Sequence, residues 1–562
     1  MRSIFLLIIL CFFSCKTEKA TKNNRGLIAE NAMVVTARIE ASEIGLHILK
    51  QGGNAFDAMI ATELALAVAF PFAGNIGGGG FMVYRAADGK TGVLDYREKA
   101  PLAAHRDMYL DEQGNIISGK STLGGSSVGV PGTIAGIFAV HEKFGSLPIE
   151  KIIQPVIELA LKGVVVTEVQ ERSLENARDL IIQVSGENTL FSLPYKAGDT
   201  IKHPAFAETL QRIKTNGKDE FYRGETALKI VDFLQQNGSI ITLEDLEKYE
   251  AVWREPVRFS YKDLNIISMS PPSSGGICLA QILKMIEPFD LKNLGHNSAE
   301  YIQLLTEAMK RAYADRSHYL GDPDFVQIPL ERLLSDSYLK NRMADFSFEK
   351  ATPSSEITYG TIELSGEKDE TTHYSIVDQF GNAVAVTTTL NGAYGSKLYS
   401  QELGFFFNNE MDDFSTKPGE PNMFGLIGAE ANSIQPEKRM LSSMTPTIVE
   451  KDGKLWMILG TPGGSRIITS VLQTLLNVYE FEMTMQQAAD ASRFHHQWLP
   501  DEIYFEDDAI GLETMQQLQN KGYSISLQKA KIIGSIAAIL VLENGTMEAG
   551  ADRRRDNAAA GY

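Results

Sequence analysis

Apolar positions along the chain change period several times, and each change predicts an element. Residues 34 to 70 read as two helices. In "ARIEASEIGLHILKQGGN", Ala37, Ala41, Ile44 and Ile48 share one stripe and a Gly-Gly pair stops the run. "NAFDAMIATELALAVAF" is apolar nearly all round, as a buried helix must be. "GNIGGGGFMVYRAADGKTGVLDYRE" then switches to a glycine-lined turn and a hairpin closing at Asp88-Gly89. Helical spacing returns near 133 to 144, 151 to 163, 206 to 216, 223 to 236 and 298 to 316. From about 346 to 370, "FSFEKATPSSEITYGTIELSGEKDE" is polar and loses periodicity, which makes it the best linker candidate.

Beyond it, "THYSIVDQFGNAVAVTTTL" predicts a hairpin turning near Gly381-Asn382, whose second strand is apolar enough to be covered on both faces. "LWMILG" is another buried strand. It runs through "TPGGSR" into a helix with the stripe Ile468, Val471, Leu472, Leu475 and Leu476. Thr484 with Gln487 fits a capping box. Strands near 503 to 506, 523 to 527 and 536 to 542 complete the chain. Doubly covered strands with helices in both halves imply an α/β layered sandwich, stacked sheets flanked by helices. No repeat occurs at solenoid spacing.

Composition narrows the partners. With 44% hydrophobic and 22% charged residues, 562 positions can bury a large core divided among roughly two to four domain-sized units. Fifty-three Lys and Arg against 71 Asp and Glu give a net charge of −18, which repels phosphate backbones and argues against nucleic acid. Cys11, Cys15 and Cys278 are too few for a disulfide framework. The opening "MRSIFLLIILCFFSCKTEKA" reads as an export signal covering residues 1–14, with an apolar run too short to span a bilayer. "FFSC" resembles a bacterial lipobox, so lipid attachment at Cys15 is favoured over simple secretion, and the expected location is periplasmic or membrane-anchored.

The chemistry begins at "EKDETTHYSIVD", residues 367 to 378, where a charged segment meets a strand through two threonines. A threonine hydroxyl is a poor nucleophile unless a base sits beside it. Placing it first in a chain supplies one, because the α-amine, with a reference pKa of about 7.7 to 8, lies within reach of its own Oγ. That requires a break before Thr371 or Thr372. The plain alternative is two strand-starting threonines, where the residue is common.

Motifs on either side decide between these. "TTHYSIVDQFGNAVAVTTTLNGAYGS", "NNEMDDFS", "LSSMTPTIV", "GTPGGSRIITSVLQ", "RFHHQWLPDE" and the terminal "AAAGY" resemble the small subunit of the gamma-glutamyltransferases. "GGNAFDAMIAT", "GNIGGGGFMVYR", "DYREKAPLAA" and "VGVPGT" resemble their large subunit. The resemblance implies an N-terminal-nucleophile hydrolase with the αββα sandwich. The resemblance also implies one precursor that cleaves itself between Glu370 and Thr371 into subunits 15–370 and 371–562, which would associate. Thr371 would attack the γ-carbonyl of a γ-glutamyl compound such as glutathione, and the acyl-enzyme would pass to water or an amino acceptor. Thr389 is implied to orient the nucleophile, and no cofactor or metal is implied.

Other residues make physical sense in that scheme. Strand, Gly-Gly and helix in "TPGGSR" let the N–H groups of Gly463 and Gly464 meet a developing oxyanion. A γ-glutamyl group carries an α-carboxylate and an α-ammonium. Arg97, helped by Ser442 and Ser443, suits the first, while Asp413, Glu410 and Asn391 suit the second. "EPNMFGLIGAEANSIQPEKRM" matches the lid loop of some bacterial members, with Phe424 where a tyrosine is common. The ending "ADRRRDNAAAGY" departs from the usual "DPR" pattern. Glycines 77 to 80 lack GxGxxG spacing and read as close backbone packing, and His495 with His496 reads as structural because adjacent side chains diverge. The competing functions are a cephalosporin or glutaryl acylase, a poly-γ-glutamate-processing amidase and, outside enzymes, a solute-binding lipoprotein.

Overall fold

A computed structural model describes residues 24–359, 371–526 and 532–562. Two seven-stranded antiparallel sheets stack face to face. In the first, Ala558–Gly561, Met33–Thr36, Thr372–Val377, Ala383–Thr389, Gly79–Arg85, Thr91–Tyr96 and Val252–Arg254 lie side by side in that order. The second runs Ile28–Ala29, Met547–Ala551, Ala537–Val541, Lys454–Leu459, Thr447–Lys451, Leu264–Ser268 and Val257–Tyr261.

Strand alternation sorts the side chains into layers. Tyr374, Ile376, Val384 and Val386 point away from the second sheet into a core shared with the helices Ile39–Lys50, Ala55–Ala69, Thr133–Phe144 and Ile149–Lys162. Val377, Ala383 and Ala385 point the other way, into the layer holding Ile458 and Ile539 of the second sheet. That sheet packs in turn with Gly275–Ile286, Ala299–Tyr319 and Arg466–Tyr479. The expected αββα sandwich is therefore present.

The Ala55–Ala69 helix is buried along nearly its whole surface, as its apolar sequence requires, and Asn54 and Asp57 close a capping box at its start. Thr484 and Gln487 form the anticipated box on Met485–Asp490. Helical spacing misleads at residues 34 to 36. Val34, Val35 and Thr36 are a strand held between Ala558–Gly561 and Thr372–Val377, so β-branched residues with neighbours on both edges follow sheet pairing and the helix begins only at Ile39. Near 523 to 527, the described residues make one isolated bridge, Ile503 with Ile525, and residue 527 lies outside them. The helices Glu168–Ser185 and Leu512–Asn520 escape the sequence reading because each buries only a narrow stripe.

Leu472 is fully buried on the Arg466–Tyr479 helix. Leu472→Ala should lower unfolding free energy by about 2–5 kcal/mol through lost burial and the cavity left behind. Chemical denaturation should show this as a lower midpoint at unchanged slope.

Candidate active site

Antiparallel register builds the site's centre. Thr372 pairs with Thr388, which sets Thr371 opposite Thr389 at the end of the two central strands. Both are buried and line one cavity of about 20 Å³, room for roughly one water. Thr389 Oγ accepts the Asn391 N–H at 2.7 Å, and Asn391 turns the chain with a φ of 71°. Glycines 77 to 80 are the close-packed turn expected of them: a Cβ on Gly78 would stand 2.2 Å from the Thr389 carbonyl oxygen.

The second sheet delivers the donors. Lys454–Leu459 ends in the Thr461–Ser465 turn, where Gly463 and Gly464 have φ of 134° and 47°, values that disfavour any side chain. Neither N–H donates to a described residue, and Gly464 lines the cavity. The Tyr313 hydroxyl anchors the turn by donating to the Ser465 carbonyl.

Charge concentrates on the other wall. Arg97 is 1% exposed and already engaged: Nη1 lies 2.7 Å from Glu410 Oε2, and Nη2 donates to Asp413 Oδ2. Neither Glu410 oxygen accepts an aligned hydrogen bond. Glu98 stands 3.9 Å from Arg97 with both oxygens unpartnered. Burial, opposed by Arg97, pushes Asp413 up to about 6, Glu98 up to about 8 and Glu410 well above the carboxylate range. Ser442 and Ser443 complete this wall; Ser442 Oγ accepts the Met444 N–H at 3.1 Å, and Ser443 Oγ accepts from Arg316 Nη2 at 3.2 Å.

The segment expected to form the lid packs against the cavity. Phe424 and Leu426 wall the cavity, the Met423 N–H donates to Asp412, Asn422 donates to Asp413, and Gln497 holds the Phe424 carbonyl.

One cavity thus gathers Thr371, Thr389, Gly464, Arg97, Asn391, Asp413, Ser442, Ser443 and Phe424, while Glu410 sits directly behind it on Arg97. Glu370 and Cys15 lie outside the described residues. Two site residues escape the sequence reading. Arg316 lines the cavity, and Glu98 adjoins it beside Arg97; the motif "DYREKAP" could have flagged Glu98, whereas nothing in the spacing singles out Arg316. His495 bonds Thr469 and Gln497, and His496 bonds Asp501, consistent with structural roles. In the altered C-terminal pattern, Arg554 lies 2.5 Å from both Asp552 and Glu506.

A threonine heading a central strand, faced by unused backbone donors from the opposite sheet of an αββα sandwich, defines an N-terminal-nucleophile hydrolase. The Gamma-glutamyltranspeptidase family profile matches residues 41–562, and the chain belongs to that family. It is 45% identical over 539 residues to the glutathione hydrolase proenzyme of Escherichia coli strain K12, covering 95% of this chain and 92% of that one. Among solved structures, the gamma-glutamyltranspeptidase of Helicobacter pylori superposes with a TM-score of 0.57 at 44% identity, over 58% of this chain and 94% of that chain. Cephalosporin acylase from Bacillus halodurans shares the fold, with a TM-score of 0.86 at 24% identity over 98% of this chain and 99% of that one.

Because burial raises the Glu98 pKa from 4.5 to about 8, its folded form binds protons more tightly than the unfolded chain. The stability it contributes is complete below pH 4.5 and is lost as pH rises through 8. Glu98→Gln should therefore melt higher than the parent at pH 9, and the gain should vanish towards pH 5 in thermal scans.

Proposed function

We propose that the chain matures by cutting itself between Glu370 and Thr371, and that the paired subunits 15–370 and 371–562 transfer γ-glutamyl groups from glutathione and related compounds to water, amino acids or peptides. The observation that carries this reading is the convergence of Thr371 with Arg97, Asp413, Asn391 and two serines in one closed cavity.

In maturation, Thr371 Oγ attacks the Glu370 carbonyl carbon, the amide C–N bond breaks to leave an ester and a free α-amine on Thr371, and water hydrolyses the ester to a Glu370 carboxylate and the free Thr371 hydroxyl. That amine then takes the Oγ proton as the oxygen attacks the donor's γ-carbonyl. Gly463 and Gly464 donate to the oxyanion, and losing one such donor typically costs about 10² to 10³ in rate. As the tetrahedral intermediate collapses, the ammonium returns the proton to the leaving amine. Water or a second amine then cleaves the acyl-enzyme by the reverse sequence. Arg97, Ser442 and Ser443 receive the donor α-carboxylate; Asp413, Glu410 and Asn391 receive its ammonium. Thr389 orients the nucleophile, and Phe424 shields the ester from water without a hydroxyl to tie the lid down.

His373, next to the nucleophile, is no competing base, since burial drives its pKa down to about 3. The ammonium set disfavours a glutaryl donor, which has no ammonium to hold. Export and acylation at Cys15 belong to the same proposal; a Cys15→Ser variant should leave the membrane fraction for the soluble one.

On a denaturing gel the protein should run as two bands, the smaller beginning at Thr371, and Thr371→Ala should remain whole and inactive. A chromogenic γ-glutamyl anilide should be cleaved far faster than its glutaryl analogue. An intact, fully active parent, or a preference for the glutaryl donor, rejects the reading.

The pH profile offers a second check. Log kcat/KM should fall with a slope of about 1 below the α-amine pKa and about 2 once Asp413 also protonates and loses its charge opposite the donor ammonium. The break should come near the Asp413 value of about 6. Asp413→Asn should bind donor weakly and retain only the single slope.

A further inference from the structure

The site holds two arginines, and only one is neutralised. Arg97 has Glu410 and Asp413 against it. Arg316 is 4% exposed, lines the same cavity, and has no carboxylate within 4.0 Å among the described residues. Its Nε donates to Ser274 Oγ at 2.9 Å and its Nη2 to Ser443 Oγ at 3.2 Å, while Nη1 donates to no described residue. The ionisable neighbours do not compensate it. Burial raises the Cys278 thiol to about 12, so it stays neutral, and Tyr313 spends its proton on Ser465. Asp413 acts on Arg316 only from further off, and its two oxygens serve Arg97 and Asn422.

A buried guanidinium with no counterion is costly unless an anion arrives to pair with it. The Ala299–Tyr319 helix holds this one in place. Tyr313 and Arg316, three residues apart on one face, reach the oxyanion turn and Ser443, and the Ser317 carbonyl accepts the Ala429 N–H of the lid. Helix, turn, serine and lid therefore meet around an unfilled positive charge.

We propose that Arg316 is a second anion-binding residue of the donor pocket, which with Ser443 takes the α-carboxylate of the γ-glutamyl donor. This rests on the γ-glutamyl reading above. Arg97 remains the first anion-binding residue, and its contacts with Glu410 and Asp413 also position those acids for the ammonium. The pocket then presents paired charges of both signs to a zwitterion, with the free positive charge on the serine side.

The test compares two anilides, the γ-glutamyl donor and the 4-aminobutyryl donor that lacks only the α-carboxylate. Arg316→Gln should raise KM for the γ-glutamyl anilide roughly 10- to 100-fold, with kcat held within about threefold, the pattern of lost ground-state binding to a charged group. The 4-aminobutyryl donor should be nearly unaffected, so the preference between the two donors shrinks by the same factor. Arg316→Lys should restore part of it. Equal losses on both donors, or a fall in kcat at constant KM, overturn the assignment. If the glutamine variant does not mature, Arg316→Lys decides alone: a reduced preference, with L-glutamate raising the melting temperature less than in the parent, supports the role, and values equal to the parent's reject it. Failure of the parent to cleave the γ-glutamyl anilide would instead strike the function itself.

Discussion

Thr371 and the Gly463–Gly464 turn stand on different sheets, so the distance between those sheets is the constraint on which the proposed catalysis depends. His373 sets it. Its ring occupies the place of a missing side chain at Gly460, where a Cβ would lie 2.3 Å from the imidazole. Nδ1 bonds Thr387 at 2.9 Å and Nε2 bonds Ser375 at 3.1 Å; Ser375 Oγ donates across the gap to the Ala537 carbonyl, and the Ala537 N–H returns to the Gly460 carbonyl at 3.2 Å. Because Ser375 has only one hydroxyl proton and gives it to Ala537, Nε2 must be the protonated nitrogen. The neutral ring is thus a spacer of fixed length. It follows Thr371 by two positions and presses on a glycine three positions before Gly463. The spacer therefore acts close to both Thr371 and the glycine turn, whose proposed roles tolerate displacements of only about 0.5 Å.

The charged wall obeys a second constraint, that a zwitterion must be held without leaving either of its charges unpaired in a dry site. Three carboxyl groups around Arg97 exceed what one guanidinium can neutralise, and burial answers by keeping Glu98 and Glu410 protonated at neutral pH. Such a cluster contributes little to stability, since desolvation offsets its attraction. What it supplies is a fixed array of acceptors on one side of the cavity, facing the serines and Arg316 on the other. The segment around Phe424 bonds Asp412 and Asp413 directly, so its position and the charge placement are linked.

Much of this is legible in the sequence, and the failures have physical causes. The threonine hairpin and the strand-turn-helix of "TPGGSR" are marked by alternation and glycine, signals that local geometry dictates. Residues 34 to 36 read as helix because a helical stripe follows them without a break, and only their sheet neighbours distinguish the two states. Arg316 is invisible for a different reason. "EAMKRAYADRSHY" reads as a solvated, charged surface, yet Glu307, Lys310, Arg311, Asp315 and Arg316 are all buried. Glu307 pairs with Lys310 and Arg311, and Asp315 with Arg342, so charges satisfied by one another bury a face that hydrophobic periodicity assigns to water. Arg316 is the member of that row without an acid partner among the described residues, a property that only the folded arrangement reveals.

Strand order also explains how a chain could be severed beside its nucleophile and hold together. In the first sheet, Met33–Thr36 lies between Ala558–Gly561 and Thr372–Val377, and Gly79–Arg85 pairs with Ala383–Thr389. In the second, Leu264–Ser268 pairs with Thr447–Lys451 and Ile28–Ala29 with Met547–Ala551. Strands from before and after residue 370 thus pair with one another in both sheets. Separating them would break ladders in each sheet and expose the layer between, a cost far beyond that of parting two domains joined by a linker. The proposed cut after Glu370 would therefore release one chain end to do chemistry while the paired strands keep that end in place.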